Sequence, residues 1–422
     1  MAITKKETKS QLIMHKIQLL QNQADKQKKW NELFSEYFQN DSGLNSHSFA
    51  NSSVMLSSEY YQEMNRLCAI LNKTCRAIVL NYFEDSRIRK YYQLDEELEN
   101  ILRKSNSEIY DQGFYRPDFL YDIHDQIKIC EIGARYPLNG WMISYYLKLI
   151  NDRLNSSGIV QKVTPKCIKN IVNDLRNQFA PSGKVAFVHD DEKGTEIFLL
   201  QKELAKFQIQ LISVKPQDLT VLNDFICVNG EPILHFILEM DREELKKIKV
   251  DVLDKLIQQN SYFNDIRTLI LIHDKRVLAV MYDAQIMNDY LDEEEYAFLR
   301  KYLIPSFIIS DATSCDPFID CEQNLILKLN SGGRGIGAYL KSHCTIEDWE
   351  TIVRENWSSY LIQHFVDQKE FIDTENHRRI HLVGMLLCKD DKTYGAGLFR
   401  GSDESIVNVH QGRALIYPLF EK

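Results

Sequence analysis

Between Lys162 and Val214 the chain changes its local pattern three times, and few folds tolerate that alternation. Lys162 to Phe179 reads as a helix, Val185 to His189 as a short strand, Glu196 to Phe207 as a helix and Ile209 to Val214 as a second strand. A strand that feeds a helix and then a second strand predicts a parallel sheet in a Rossmann-like layer. The flanking regions read differently. Lys5 to Tyr37 mixes Lys, Gln, Glu and Leu without proline or glycine, which predicts helix. The Asn- and Ser-rich stretch Asn40 to Ser58 predicts a loop, and helices follow over Glu59 to Leu80 and Glu96 to Lys104.

From Arg116 the pattern becomes a hairpin: Arg116 to Tyr121 and Ile127 to Ile132 are strand-like and flank the polar turn His124-Asp125-Gln126. Gly140 to Leu154 returns to helix. A helix over Glu293 to Tyr302 is stopped near Pro305, and the chain then turns strand-rich. Asn324 to Leu329 and Tyr360 to Phe365 read as strands around a helix over Ile346 to Glu355. His381 to Cys388 and Gly395 to Arg400 read as an antiparallel pair closed by the tip Lys389-Asp390-Asp391-Lys392. The expected class is α+β with an α/β layer. Four regions follow from these shifts: a helical start over 1–110, the hairpin region 111–160, the Rossmann-like lobe 161–262, and a strand-rich lobe 263–422.

Composition narrows the functional classes. A formal net charge of −9 argues against holding a nucleic-acid backbone, which calls for a basic surface. No run approaches the roughly 18 apolar residues that span a bilayer, and Met1-Ala2-Ile3-Thr4-Lys5-Lys6 lacks the apolar stretch of a secretion signal. The expected setting is cytoplasmic, with no membrane and no nucleic acid as partner. Nine cysteines lie scattered without a CxxC pair, the usage of reduced core thiols.

Four stretches could carry chemistry. In Arg116-Pro117-Asp118 and Glu131-Ile132-Gly133-Ala134-Arg135, the hairpin sets Asp118 beside Glu131 on adjacent strands, where neighbours lie about 5 Å apart. Two carboxylates so placed can share magnesium, which takes oxygen ligands and keeps positions for phosphate. A surface ion-pair cluster of Arg116, Asp118, Glu131 and Arg135 accounts for the same residues. In Leu325-Ile326-Leu327-Lys328-Leu329-Asn330-Ser331-Gly332-Gly333-Arg334-Gly335-Ile336-Gly337, a strand ends in lysine and enters a glycine-rich loop whose backbone N–H groups can approach phosphate oxygens. The GKS or GKT ending of a P-loop is missing, and a flexible turn could also be glycine-rich. Tyr360 to Val366 is ordinary core by itself, or else a hinge whose backbone pairs with an adenine edge. Gly395 to Arg400 ends in a cation that either meets an anion or is simply solvated.

Taken together, these stretches resemble the ATP-grasp enzymes, in the circularly permuted order of the glutathionylspermidine synthetase-like amide ligases. In that group an R-x-D strand and an E-x-N strand come first, followed by a K-P-x-x-x-R-E-G-like loop, an adenine hinge and a strand ending in arginine. The resemblance implies an ATP-grasp fold over roughly Arg116 to Pro418, with a Rossmann-like lobe before the nucleotide-binding part. It implies ATP and Mg2+ as cofactors and an acyl phosphate formed on a small-molecule carboxylate, such as an amino acid. It assigns magnesium to Asp118 and Glu131, and phosphoryl stabilisation to Arg116, Arg135 and Arg400. Nucleotide contacts fall to Lys275, Lys328, Gly332, Gly333, Arg334, Gly335 and Gln363. Two departures stand out: Gly133 replaces the asparagine of E-x-N, and Leu329 replaces the proline of the loop. The acceptor is an amine in the leading version and a carrier-protein thiol in the alternative, while loss of Asn at 133 also suits a nucleotide-binding module without catalysis. The helical start could meet a protein partner or a second copy of the chain, as a homodimer.

Overall fold

A computed structural model describes residues 17–20, 24–38, 48–50, 52–156, 166–180, 183–190, 196–333, 337–373, 377–407 and 414–421. The architecture is mixed α+β with several sheets. The largest sheet runs Leu415–Tyr417, Lys392–Ser402, Arg378–Lys389, Phe114–Tyr121, Ile127–Gly133, with Phe371–Asp373 paired beside Arg378–Lys389; all its pairings are antiparallel. Its outer half comes from the last fifth of the chain and its inner hairpin from the first third. The hairpin turn is built locally: the Asp122 carboxylate accepts from the His124 and Gln126 N–H groups at 2.9 and 2.8 Å, and Asp125 takes the left-handed conformation, φ 62°.

A second antiparallel sheet has the order Ser306–Ile308, Tyr360–His364, Leu325–Leu329, Tyr339–Leu340. The amphipathic helix Ile346–Asn356 covers it, burying Trp349 and Val353 against Leu327 and Ile362. Thr345 starts that helix by accepting from the Asp348 N–H. The strand Leu325–Leu329 therefore buries one face under its own helix and leaves Lys328 on the other.

The expected parallel layer is present, in the order Tyr262–Phe263, Phe236–Leu238, Lys184–Val188, Gln210–Val214. Helices Ile171–Phe179 and Ile197–Ala205 pack on it through Leu175, Phe179, Leu200 and Leu204, fully buried with Val185 and Phe187. A small meander, Leu219–Leu222, Phe225–Val228 and Glu231–Pro232, leads from its edge strand towards Phe236.

Several expectations need correction. The helix expected over Lys5 to Tyr37 is confined to Ala24–Tyr37; Ile17–Leu20 is a strand paired with Ser53–Leu56, and residues 5–16 lie outside the described residues. The loop expected over Asn40 to Ser58 thus contains a strand, which also pairs in parallel with Leu419–Glu421. Short polar-flanked strands of this kind are fixed by their distant partners rather than by local propensity. The helix expected over Lys162 to Phe179 is a 3-10 turn, Lys166–Asn170, followed by the helix Ile171–Phe179. Among the described residues no helix is long and apolar enough to cross a membrane.

Candidate functional site

The large sheet, the small sheet and the segment after Ile272 meet around one cavity of about 280 Å³. Alternation along the large sheet builds its floor. Arg116, Asp118 and Leu120 fall at every second position of Phe114–Tyr121 and so share a face, with Val383, Met385 and Arg400 from the neighbouring strands beside them. Asp118 lies directly opposite Glu131 in the hairpin register, and Arg116 opposite Gly133. The small sheet contributes Ile326, Lys328 and Gln363.

Five cationic side chains line this cavity: Arg116, Arg135, Lys275, Lys328 and Arg400. They face the carboxyl groups of Asp118, Glu131 and Glu196, which leaves an excess of two to three positive charges depending on the protonation of Glu196. The chain as a whole is acidic, so this wall is a local inversion of sign that suits a polyanion.

Each cation has a partner, and Arg135 Nη1 lies 3.4 Å from Asp241 Oδ2. Arg116 Nε lies 2.9 Å from Asp118 Oδ1, while its Nη1 donates to the Asn139 carbonyl at 2.6 Å. Arg400 Nη2 lies 2.5 Å from Asp118 Oδ2, and its Nε is buried without a partner among the described residues. Asp118, 1% exposed, therefore bridges two guanidiniums. Lys328 Nζ donates to the Cys130 carbonyl at 3.0 Å and to Gln363 Oε1 at 2.8 Å; Gln363 Nε2 in turn donates to Ser306 Oγ at 2.9 Å. Lys275 Nζ donates to the Gly332 carbonyl at 2.8 Å and sits 3.8 Å from Glu131 Oε2. Its backbone is fixed by the Asn330 carbonyl and by its neighbour Asp274, which pairs with Arg276 and Arg242 in the interior.

These contacts set the charge states. Burial alone would raise the Glu131 carboxyl, but Lys275, Lys328, Arg400 and Arg116 outweigh it and hold the group below the usual range. Burial pulls the Lys328 ammonium below the ordinary lysine range, against the pull of Glu131. Burial, with Lys275 and Arg135 nearby, also keeps His273 neutral; its Nδ1 accepts from the Ala134 N–H at 3.3 Å.

The structure brings Arg116, Asp118, Glu131, Arg135, Lys275, Lys328, Gly333, Gln363 and Arg400 to this single cavity. Gly332 is not among the lining residues: its carbonyl anchors Lys275, and its φ of 104° requires glycine. Arg334 and Gly335 lie outside the described residues. Gly133 has a steric reason. A Cβ there would stand 2.7 Å from Arg116 Nη2, so a side chain and the present arginine pose exclude each other. Sequence reasoning missed Glu196 and His273. His273 stands two residues before Lys275 in sequence, but nothing local marks Glu196.

Among the described residues no group of three or more His, Cys, Asp or Glu side chains is arranged to hold a metal. For Asp118 and Glu131 to share a magnesium ion, Asp118 would have to give up one of its two arginines. Glu131 faces the cavity with part of its carboxyl exposed, and Asp118 would then add a second oxygen, the other positions being phosphate and water.

The matched family adds a boundary. A family model described as the AnkG N-terminal domain matches residues 67–271. The AnkG N-terminal match takes in the hairpin with Arg116, Asp118 and Glu131 and most of the parallel layer, and it ends just before Lys275. It thus spans the carboxylate half of the cavity and not the half that carries Lys328, Gln363 and Arg400. No curated protein matches the chain.

Proposed function

We propose that this chain is an ATP-dependent carboxylate ligase on a circularly permuted ATP-grasp scaffold. The observation that carries this reading is the convergence of Glu131 and Lys328, about two hundred positions apart, on one cation-rich cavity. Position along the floor strand supports an orientation. Tyr121 is five residues from Arg116, about 17 Å at about 3.3 Å per residue. The segment after Tyr360–His364 runs beside the Tyr121 end, where Lys369 N–H donates to the Tyr121 carbonyl. Val366 lines the cavity there, and its backbone groups make no hydrogen bond to the described residues, which suits an adenine edge. The phosphates then lie over Asp118 and Lys328, and the acyl group near Arg116 and Arg135.

In this reading a carboxylate oxygen attacks the γ-phosphorus, ADP leaves, and the acyl phosphate passes to an amine; a carrier-protein thiol is the competing acceptor. Two anions must approach, so the cations do most of the work. One opposite pair about 4 Å apart contributes on the order of 4 kcal/mol at an effective dielectric near 20. Lys328 and Lys275 suit the nucleotide phosphates, and Arg116, Arg135 and Arg400 the transferring group and the acid. Magnesium, when bound with ATP, would neutralise charge on the terminal phosphates. Such a reaction belongs where ATP is abundant, inside a cell.

A silent nucleotide-binding module is the second reading, favoured by the way Asp118 is already taken by two arginines. Incubation with magnesium, ATP and mixed amino acids in hydroxylamine separates the two. The ligase releases ADP and yields hydroxamates, whereas ATP binding with neither product supports the module.

A further inference from the structure

One carboxyl group on the cavity wall and a second one behind it have no role in that reading. Glu196 lines the wall beside Arg116. Its carboxylate is pinned at the start of the helix Trp141–Ser156, where it accepts from the Ile143 N–H at 2.9 Å and from the Gly140 N–H. Gly140 itself abuts the floor: a Cβ there would meet Met385 Sδ at 2.4 Å and Arg116 Cδ at 3.4 Å. Glu239 stands behind Glu196, just past the strand Phe236–Leu238 at the carboxyl end of the parallel layer. It is 2% exposed, and its Oε2 has no partner among the described residues. Native proteins rarely leave a buried carboxyl oxygen unsatisfied without a use for it.

The charged groups that face this pair are Arg116 and Arg135. Burial pushes the Glu196 carboxyl up to about 7, against the Ile143 and Gly140 N–H groups and Arg116. Burial and then the like charge of Glu196 push Glu239 up to about 8. Near neutrality the pair therefore exchanges protons readily, as an acid–base group must. It is also an acidic spot beside Arg116 and Arg135. A second carboxylate or phosphate would be repelled there, and an ammonium group attracted.

We propose that Glu196, backed by Glu239, binds the ammonium group of the acceptor and removes its proton, so that the acceptor is an amine rather than a thiol. This rests on the ligase reading and deepens it. The proton passes from the ammonium nitrogen to a Glu196 oxygen. The freed lone pair attacks the acyl carbon, the new C–N bond forms, and the C–O bond to phosphate breaks with its electrons leaving on phosphate. The remaining surplus proton on nitrogen goes to the departing phosphate.

The test compares wild type with Glu196→Gln and Glu239→Gln in magnesium, ATP and the standard amino acids, with simple diamines added, across about pH 6 to 9. Hydroxamate trapping reads activation alone, and mass spectrometry reads amide products. Glu196→Gln is expected to lose about 100-fold in amide formation, while hydroxamate formation falls less than about threefold. Glu239→Gln is expected to lower amide formation less than Glu196→Gln does and to leave its acidic limb in place, because Glu239 is still protonated where Glu196 loses its proton. Equal loss of both products in Glu196→Gln, or no loss of either, overturns the assignment and leaves the ligase reading standing. Hydroxamates without any amine product in the wild type overturn the amine acceptor. Absence of both products in the wild type overturns the ligase reading itself, and this inference with it.

Discussion

Lys328 reaches across from the small sheet and donates to the backbone carbonyl of Cys130, 3.0 Å away, on the strand that carries Glu131. One side chain thus joins the small sheet to the hairpin and places its charge between Gln363 and the Glu131 strand. Lys328→Ala should weaken ATP binding at least about tenfold, since a charge-assisted contact to phosphate is lost. It should also lower the unfolding free energy by about 1 kcal/mol, the usual scale of one hydrogen bond. Calorimetric titration and chemical denaturation check the two effects separately.

Asp118 is the counter-ion of two arginines at a site almost closed to water. Asp118→Ala leaves Arg116 and Arg400 facing each other unneutralised, and breaking a buried pair in this way costs about 3–5 kcal/mol. The variant should melt well below wild type, and millimolar tripolyphosphate should restore much of the loss by replacing the missing negative charge. Asp118→Asn keeps the shape; in the ligase reading it lowers turnover far more than nucleotide affinity.

Gly133 and Arg116 compete for one volume. Gly133→Ala puts a methyl group where the guanidinium now lies, so the arginine must shift by roughly an ångström. Misplacement on that scale can cost about 100-fold in rate. ATP affinity should change little, because Lys275 and Lys328 stand on other elements. Restoring asparagine, Gly133→Asn, should therefore impair rather than improve turnover, which steady-state kinetics would show directly.

Much of this arrangement could be read from sequence because the site is built on period-two alternation. Arg116 and Asp118 share a strand face by their spacing, and the turn chemistry around Asp122 to Gln126 fixes the hairpin that sets Asp118 against Glu131. Lys328 is legible for the same reason, at the exposed end of an apolar strand. What could not be read depends on contacts across the chain. Glu196 reaches the cavity only because the helix Trp141–Ser156 presents its N–H groups to it, and no residue near Glu196 encodes that meeting. The strands Ile17–Leu20 and Ser53–Leu56 are hidden for a similar reason, since their pairing with each other, and of Ser53–Leu56 with Leu419–Glu421, overrides a composition that favours helix and loop. The steric conflict behind Gly133 is equally invisible without the position of Arg116.

The buried glutamates make stability depend on pH with a definite sign. Glu196 and Glu239 carry folded-state values raised to about 7 and about 8, above the ordinary glutamate range. The folded state therefore holds their protons more tightly than the unfolded state. The stability they contribute is fully present below the ordinary range, and it is lost as pH rises from there through about 8, by about 1.4 kcal/mol per pH unit per group. The melting temperature should fall over that interval, and Glu239→Gln should flatten the fall.

In the ligase reading one triphosphate is gripped at the same time by the upstream hairpin and the downstream lysine strand. Hydrogen–deuterium exchange with mass spectrometry, with and without magnesium and ATP, tests it most directly. The account predicts that segments 114–133 and 325–333 gain protection together, with the same dependence on ATP concentration. Protection of only one of them, or of neither at saturating ATP, would contradict it.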